Sequence, residues 1–308
     1  MSATIRDESG QDSDTLDLVF NNREYEIAPP PKGAILEPKF GYAGGEITSM
    51  GKFEVNKIRS VGGPDGILLE VSGKAASVSK KLKQKGSQHF ENTTLGSVLK
   101  KTFSAAGESI EIDGQLAGTA VEYETRNNQP ALDFANRLAD KYNAIFKAGG
   151  GKYIFVPRGS QSKPGGGTVA GITVDRFECE DWEIKTEPRP SYSKVGVHWY
   201  DEKKSKTELE EAETGLDGPT HRLPHKARHK AEAKALAEAE AARLNRKTGS
   251  GHFTQYGRTD ASAEMDVTAI NFGPIENGKW RCSAVENEFS DNGWRTTIEV
   301  EAPEKGKS

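Results

Sequence analysis

The 308-residue sequence predicts a mainly β fold, with two strand-rich blocks flanking a small α+β module. Three observations carry this. Short alternating runs bounded by Gly, Pro and Asn recur over residues 1–85 and again after 171, the pattern of a barrel or a sandwich. Two helical stripes fall between these blocks, and one long helical run interrupts the second. The composition is 34% hydrophobic with 33 glycines, a lean core with many turns. At roughly 100–200 residues per domain the chain holds two or three.

The first block, residues 1–88, is read as "TLDLVF" (15–20), "EYEIAP" (24–29) and "AILEPKFGY" (34–42), separated by Asn-Asn and a proline-glycine cluster. "GKFEVNKIRSVGGPDGILLEVSG" (51–73) gives two strands around a tight turn. "VSKKLKQKGSQ" (78–88) is a basic connector, read as a solvated face. In the module, residues 89–157, "NTTLGSVLKKTFSAAG" (92–107) is a helix. Thr93 or Thr94 caps it, Leu95, Val98, Leu99 and Phe103 share one face, and Gly107 stops it. "ESIEID" is a short strand, and "GQLAGTAVEYETRN" leads to the next helix.

"NNQPALDFANRLADKYNAIFKAGGGKYIFVP" (127–157) contains glycines followed by Lys152, as a phosphate-binding loop does. Such a loop needs a strand before the glycines, a helix after them and Ser or Thr after the lysine. Here the order is reversed and Tyr153 follows. Asn128 caps a helix with Pro130 in its first turn; Leu132, Ala135, Leu138, Ala139 and Tyr142 form its stripe, and Gly149 to Gly151 end it. "KYIFVP" is the strand that follows.

The second block, residues 158–308, opens with a Gly/Ser/Pro-rich linker (158–171). Strands resume over 172–204, where Phe177, Cys179 and Trp182 alternate inward against charges. The alternation slips near Asp181, which predicts a bulge. Residues 205–219 form a charged loop. The inserted helix spans 225–247, with Ala233, Leu236, Ala237, Ala241 and Leu244 on its buried face against the second barrel. Glu240 intrudes on that face and reaches out to water. "GHFTQYGR", "MDVTAINF", "KWRCSAVENEFS" and "GWRTTIEVE" are the closing strands.

The residues assign no catalytic, cofactor-binding or metal site. His221, His225 and His229 are spaced at four, but Pro224 breaks a common helix and no thiol or carboxylate completes a set. Glu178, Glu180, Asp181 and Glu183 have the chemistry of glycoside-hydrolysing carboxylates, yet lie on an alternating strand whose default is a solvated face. No serine stands in a nucleophile elbow. Cys179 and Cys282 are the only cysteines and read as small buried hydrophobes of a cytosolic protein. A net charge of -4 gives no general attraction to nucleic acid or anionic membrane, and "HKARHK" is too short for a binding stripe. No stretch matches a signal peptide's h-region or the roughly 20 apolar residues of a membrane span. Physics alone yields a multi-domain binding or structural protein.

The order of segments says more. "TTLGSVLKKTFSAAG", an acidic stretch and "NNQPALDFANRLADKYNAIFKAGGGKYIFVP" resemble the late control protein D family, the baseplate hub of contractile-tailed phages. They also resemble the N-terminal half of type VI secretion spike proteins. The ending, "HKAEAKALAEAEAARLNRKTGSGHFT" then "INFGPIENGKWRCSAVENEFSDNGWRTTIEVEAP", is similar to the family's closing hairpin. "ESGQDSDTLDLVF", "PPPKGAILEPKFGY" and "GKFEVNKI" match its beginning. Two departures stand out. The chain is expected to lack a first strand or to begin late, and Asn287 stands where the family often has His.

The resemblance implies two tube-protein-like β-barrels flanking the small α+β domain, and three chains in a ring of six barrels. The partners it implies are the trimeric tail spike, the hexameric tube or a tube-initiator protein, other baseplate proteins and the tape measure protein. It implies no membrane, no cofactor, no enzymatic activity, and DNA only in transit through the channel. Strand alternation puts Glu178 and Glu180 on a polar face that is either the channel wall or the outer surface. The location implied is the virion baseplate, with host cytoplasm during assembly. The alternative is a tail-associated cell-envelope hydrolase or carbohydrate-binding tail protein, which is expected to carry an additional catalytic domain. Phage and prophage-derived particle both stay open.

Overall fold

A computed structural model describes residues 1–9, 14–64, 66–76, 81–149, 152–159, 170–186 and 192–303. Most of the 158–171 linker and the glycines at 150 and 151 lie outside the described residues.

The first block contains β1 (Ser2–Glu8), β2 (Thr15–Asn21), β3 (Ile35–Leu36), β4 (Lys39–Phe40), β5 (Thr48–Ser49), β6 (Phe53–Gly63) and β7 (Gly66–Ala75). β1 was not foreseen; it pairs β2 on one side. The run 24–29 is not a strand. Asn22 brackets the chain there, accepting from the Ile27 N–H at 2.9 Å and donating to its carbonyl at 3.2 Å, and Tyr25 turns at φ 55. Local side-chain bonding of this kind competes with ladder formation.

The module contains β8 (Lys85–Thr94), α1 (Leu95–Ser104), β9 (Glu111–Ile112), α2 (Gly114–Ala117), β10 (Ala120–Pro130), α3 (Ala131–Lys141), β11 (Ala144–Gly149) and β12 (Lys152–Pro157). α1 is as predicted: Thr94 caps the Ser97 N–H, Leu95, Val98, Leu99 and Phe103 are buried, and Gly107 follows at φ 79. α3 differs at both ends. Pro130 is its N-cap, while Asn128 lies in β10 at φ 46. The helix stops at Tyr142, because Asn143 takes φ 46, and Gly149 closes a strand instead of a helix. Phe134 joins its buried face, and Leu82, within the segment read as a connector, is fully buried in the same core.

The last block contains β13 (Ile172–Asp175), a 3-10 turn (Arg176–Glu178), β14 (Cys179–Thr186), β15 (Lys194–Asp201), β16 (Lys206–Glu213), β17 (Thr220–Arg222), α4 (Lys230–Arg246), β18 (Gly249–Tyr256), β19 (Asp266–Ile270), β20 (Gly278–Ser290) and β21 (Gly293–Glu301). The predicted bulge falls between Cys179 and Asp181. Phe177 does not point inward. The 3-10 turn removes it from the alternation and leaves it 84% exposed. The charged loop at 205–219 holds β16, paired with β15 from Lys194↔Glu213 to Asp201↔Lys206.

α4 starts at 230, after His229, whose Nδ1 accepts from the Glu232 N–H at 3.2 Å. Its apolar face covers β15 and β16, a sheet of its own with β17, instead of the main sheet. Ala233, Ala237 and Ala241 bury against Val195 and Val197, with Leu236 and Leu244 at the margin. Glu240 is not released to water. Arg243 holds it at 2.6 Å and His221 lies 3.8 Å away.

The blocks join into one sheet, in the order β14-β18-β21-β20-β1-β2-β7-β6-β3, with β13 and β19 added beside β20. β1 is the hinge of this order: its other edge pairs β20, from Ala3↔Phe289 to Glu8↔Ala284. The chain's beginning and end are thus hydrogen-bonded neighbours. Separate cores lie under the two halves, one around Ile5, Leu16 and Phe53 and one around Phe253, Trp280 and Ile298.

Candidate assembly surface

Residues directly opposite across a ladder share a face. Tracing the registers from β6 to β14 gives one polar face over eight strands. It carries Lys57 and Arg59, then Glu70 and Ser72, Asp17, Thr4 and Arg6, Glu286 and Glu288, Arg295 and Thr297, Thr254 and His252, and finally Asp181 and Glu183. The opposite face is the core, with Val71, Leu16, Ile5, Val285, Ile298 and Phe253.

The charges pair across strands. Arg6 donates to Glu299 at 2.8 and 3.0 Å and reaches Glu286 at 3.4 Å; Arg59 grips Glu70 at 2.8 and 3.0 Å. Arg295 holds Glu180 at 2.5 Å, and His252 holds Asp181 at 3.0 Å. Pairs this exposed contribute little stability, because water screens them. Their consequence is chemical. The arginines of this face, Arg6, Arg59 and Arg295, are each held by a carboxylate, which leaves them less able to release counterions and hold a polyanion. Of the carboxylates singled out in sequence, Asp181 and Glu183 lie on this face and Glu180 reaches it from the bulge through Arg295; Glu178 sits in the 3-10 turn, off the ladder.

Two locks hold the sheet's halves together. In the first, the β4–β5 hairpin folds over the β20–β21 turn. Phe40 meets Trp294 edge-on at 5.5 Å and Tyr42 lies tilted against it at 5.2 Å, and the Tyr42 hydroxyl donates to the Gly257 carbonyl at 2.9 Å. A Cβ on Gly257 would collide with the Trp294 ring. Beneath it, buried Asn287 accepts from Trp294 Nε1 at 3.1 Å and from the Thr296 hydroxyl at 2.7 Å.

The second lock is polar and joins all three parts. Asp7 of β1 accepts from Lys147 of β11 at 3.2 Å and from the Ala263 N–H at 2.8 Å. Glu264 bonds Ser9 and lies 3.4 Å from Arg158, and Arg281 donates to the Glu264 carbonyl at 2.7 Å and the Gly159 carbonyl at 3.1 Å. Burial, reinforced by the Asp7 charge, pushes the Asp14 carboxyl up to about 6. Burial lowers Lys147, but the Asp7 and Asp14 carboxylates outweigh it and hold the ammonium above its ordinary range.

This has a pH consequence. An acid whose pKa rises on folding, here from 3.8 to about 6, favours the fold most below the lower value. That contribution is lost as pH rises through about 6. From about pH 4 to pH 7, the wild type is therefore expected to lose on the order of 2 kcal/mol more stability than Asp14→Asn. Urea titrations at the two pH values check this; parallel losses would remove Asp14 from the account.

Burial raises both thiols, Cys179 to about 11, so neither is a ready thiolate. Among the described residues no group of three or more His, Cys, Asp and Glu is placed to hold a metal. His221 and His229 are spent on Glu240 and the α4 cap. No described helix is long and apolar enough to cross a membrane. The lock residues Asp7, Asp14, Lys147, Arg158 and Glu264 escaped sequence reasoning, since they meet only through the fold; Glu264's φ of 71 leaves no mark in composition.

Comparison with known proteins agrees with this geometry. A model of the phage tail baseplate hub family matches residues 69–293. A protein of Escherichia phage P2 described as "Probable baseplate hub protein" is 24% identical over 199 residues, 65% of this chain and 51% of that protein. The chain therefore spans about half the length of the phage protein it matches. Among solved structures, the 43 kDa tail protein of prophage MuSo2 from Shewanella oneidensis superposes with a TM-score of 0.72 at 13% identity. That match covers 99% of this chain and 95% of that one. A type VI secretion component of Escherichia coli, described as structurally similar to T4 tail proteins gp27 and gp5, gives 0.58 at 10% identity. It covers 100% of this chain and 75% of that one. At these identities the structural likeness shows a shared fold.

Proposed function

Since the chain belongs to the phage tail baseplate hub family, a family of structural proteins and not of enzymes, we propose that it forms a homotrimeric ring that joins the tail spike to the tail tube. In this reading it is a component of the virion tail, made in the host cytoplasm. Residues 1–88 and 158–308 each supply a tube-protein-like barrel, and residues 89–157 lie outside. Three chains then offer six similar units to a hexameric tube layer, or to a tube-initiator protein, and a threefold face to the spike. The tube's first layer nucleates on that ring. Other baseplate proteins and the tape measure protein meet its outer and upper surfaces.

The observation that carries this reading is the single sheet running through both halves. Pairing of β1 with β20 fixes the halves side by side, as two neighbours in one wall would be. Its polar face, with its arginines already paired to carboxylates, suits a passage through which DNA slides without being held. Closure in a ring also removes the exposed sheet edges that a free chain presents.

Mass photometry of the chain purified with its spike tests the stoichiometry. Three copies are expected; six copies, or a free monomer beside intact spike, would overturn it.

A further inference from the structure

Where the α+β module meets α4 the chain leaves a cavity of 230 Å³. Its floor is apolar: Ala139 of α3, Leu236 and Ala239 of α4, and Leu223, which follows β17. Three guanidiniums also line it, Arg158, Arg243 and Arg246, against two carboxylates, Asp140 and Glu240. The walls are tied from behind. The Arg158 N–H bonds the Asn143 carbonyl at 2.9 Å, Arg246 donates to the Asn143 side chain at 3.1 Å, and Lys141 bridges α3 to α4 through Glu124 and Glu232. A site held in this way is formed before anything enters it, so little ordering cost falls on binding. Glu240, which interrupts the apolar stripe of α4, is explained here. Its carboxylate grips Arg243 at Nε and Nη2, at 2.6 and 2.5 Å, and so engages two of the five guanidinium N–H groups. The Arg243 side chain is still 49% exposed, whereas Arg246 and Arg158 are 11% and 19% exposed. Arg243 is therefore the cation that an incoming anion meets.

We propose that this cavity is a socket for an acidic segment of a partner protein, which inserts one apolar side chain onto the Leu223–Leu236 floor and sets a neighbouring Asp or Glu against Arg243. Size decides against a cofactor. Sites for small molecules enclose about 300–1,000 Å³, and 230 Å³ is room for one large side chain. Protein interfaces draw much of their energy from such single anchors, each seated in a pocket and ringed by polar contacts. Charge decides the rest. The planar arginine fork matches a carboxylate, and bonds between the two ions are stronger than neutral ones. Glu240 already answers Arg243 in part, so the site adds a second carboxylate to a guanidinium that is positioned for it. Because Arg243 is half exposed, salt should weaken the contact. The socket makes no use of the ring proposed above and stands on its own measurements.

Methyl NMR of the full, unaltered chain tests the chemistry, with the peptide acetyl-Asp-Leu-Asp-amide as probe. The methyls of Leu223 and Leu236 should shift together as peptide is added. Acetyl-Asn-Leu-Asn-amide has the same shape without the charge and should bind about tenfold more weakly, the scale of a hydrogen bond to a charged group. Equal binding by the two peptides, or methyls that do not move, overturns the socket. Arg243→Gln should erase the difference between the peptides, and a difference that survives it overturns the role given to Arg243. Photo-leucine supplied to the producing cells identifies the occupant without altering the site's shape. Links from Leu223 or Leu236 should lead to a segment of another protein in which an apolar residue adjoins Asp or Glu. Links that stay within this chain's own sequence, or that reach a segment without such a carboxylate, overturn the assignment.

Discussion

Trp280→Ala is expected to cost about 3–5 kcal/mol and to melt the C-terminal half of the sheet first. The indole is 1% exposed and sits among Val267, Cys282, Phe253 and Val300. Its Nε1 donates to the Glu276 carbonyl at 2.7 Å, and its ring lies so close to Gly249 that a Cβ there would approach to 3.0 Å. The cavity left by alanine cannot be filled by a neighbour that is itself part of a strand. Because β20 also pairs β1, loosening β20 should expose amides of Ser2–Glu8 as well. Urea unfolding with hydrogen exchange reads both effects. A loss under about 1 kcal/mol, below the scale of a large core truncation, would mean that this core does not support the sheet.

Lys141→Ala should be the next most damaging change, at about 3 kcal/mol, the scale for removing one partner of a buried ion pair. Lys141 bridges α3 and α4: its ammonium bonds Glu232 and holds Glu124 at 3.0 Å. Their side chains are 15%, 12% and 6% exposed respectively, so removal of the cation leaves two carboxylates facing each other with little water. Burial lowers the Lys141 pKa, but the hydrogen bond it donates to Glu232 and the surrounding carboxylates win, and the group stays charged. Arg137 still supports Glu124 at 3.0 Å, so Glu232 bears most of the loss. Exchange should rise in α4 while α1 stays protected. Lys141→Met combined with Glu232→Leu should recover much of the stability, since an apolar pair of similar volume replaces a buried ion pair at little cost. No recovery would show that the bridge acts through something other than its charges.

What the sequence disclosed follows from how local each cause is. α1 was legible in full because Thr94, the Leu95–Phe103 stripe and Gly107 act within a few residues of one another. The bulge beside Asp181 was legible because a slip in alternation is itself local. The hairpin of β20 and β21 announced itself in the same way. β1 was missed because "SATIRDE" has a thin alternation whose meaning comes from β20, a strand nearly the whole chain away. β16 reads as a loop in sequence because Glu208, Glu210 and Glu211 hide an alternation that is satisfied by pairing with β15. The stripe on α4 was read correctly, but not the sheet it covers: Ala233 and Ala237 fit any flat apolar surface, and β15 supplies one. The polar lock between Asp7, Lys147 and Glu264 is the least legible feature, since its members come from three separate blocks and share no spacing.

The central claim is that this chain is the structural joint between tube and spike, and imaging particles made without it tests that most directly. Negative-stain micrographs of lysates from cells lacking the chain should show no tail that carries both a tube and a spike. Complete tails of normal length with the spike seated at their tip would contradict the account.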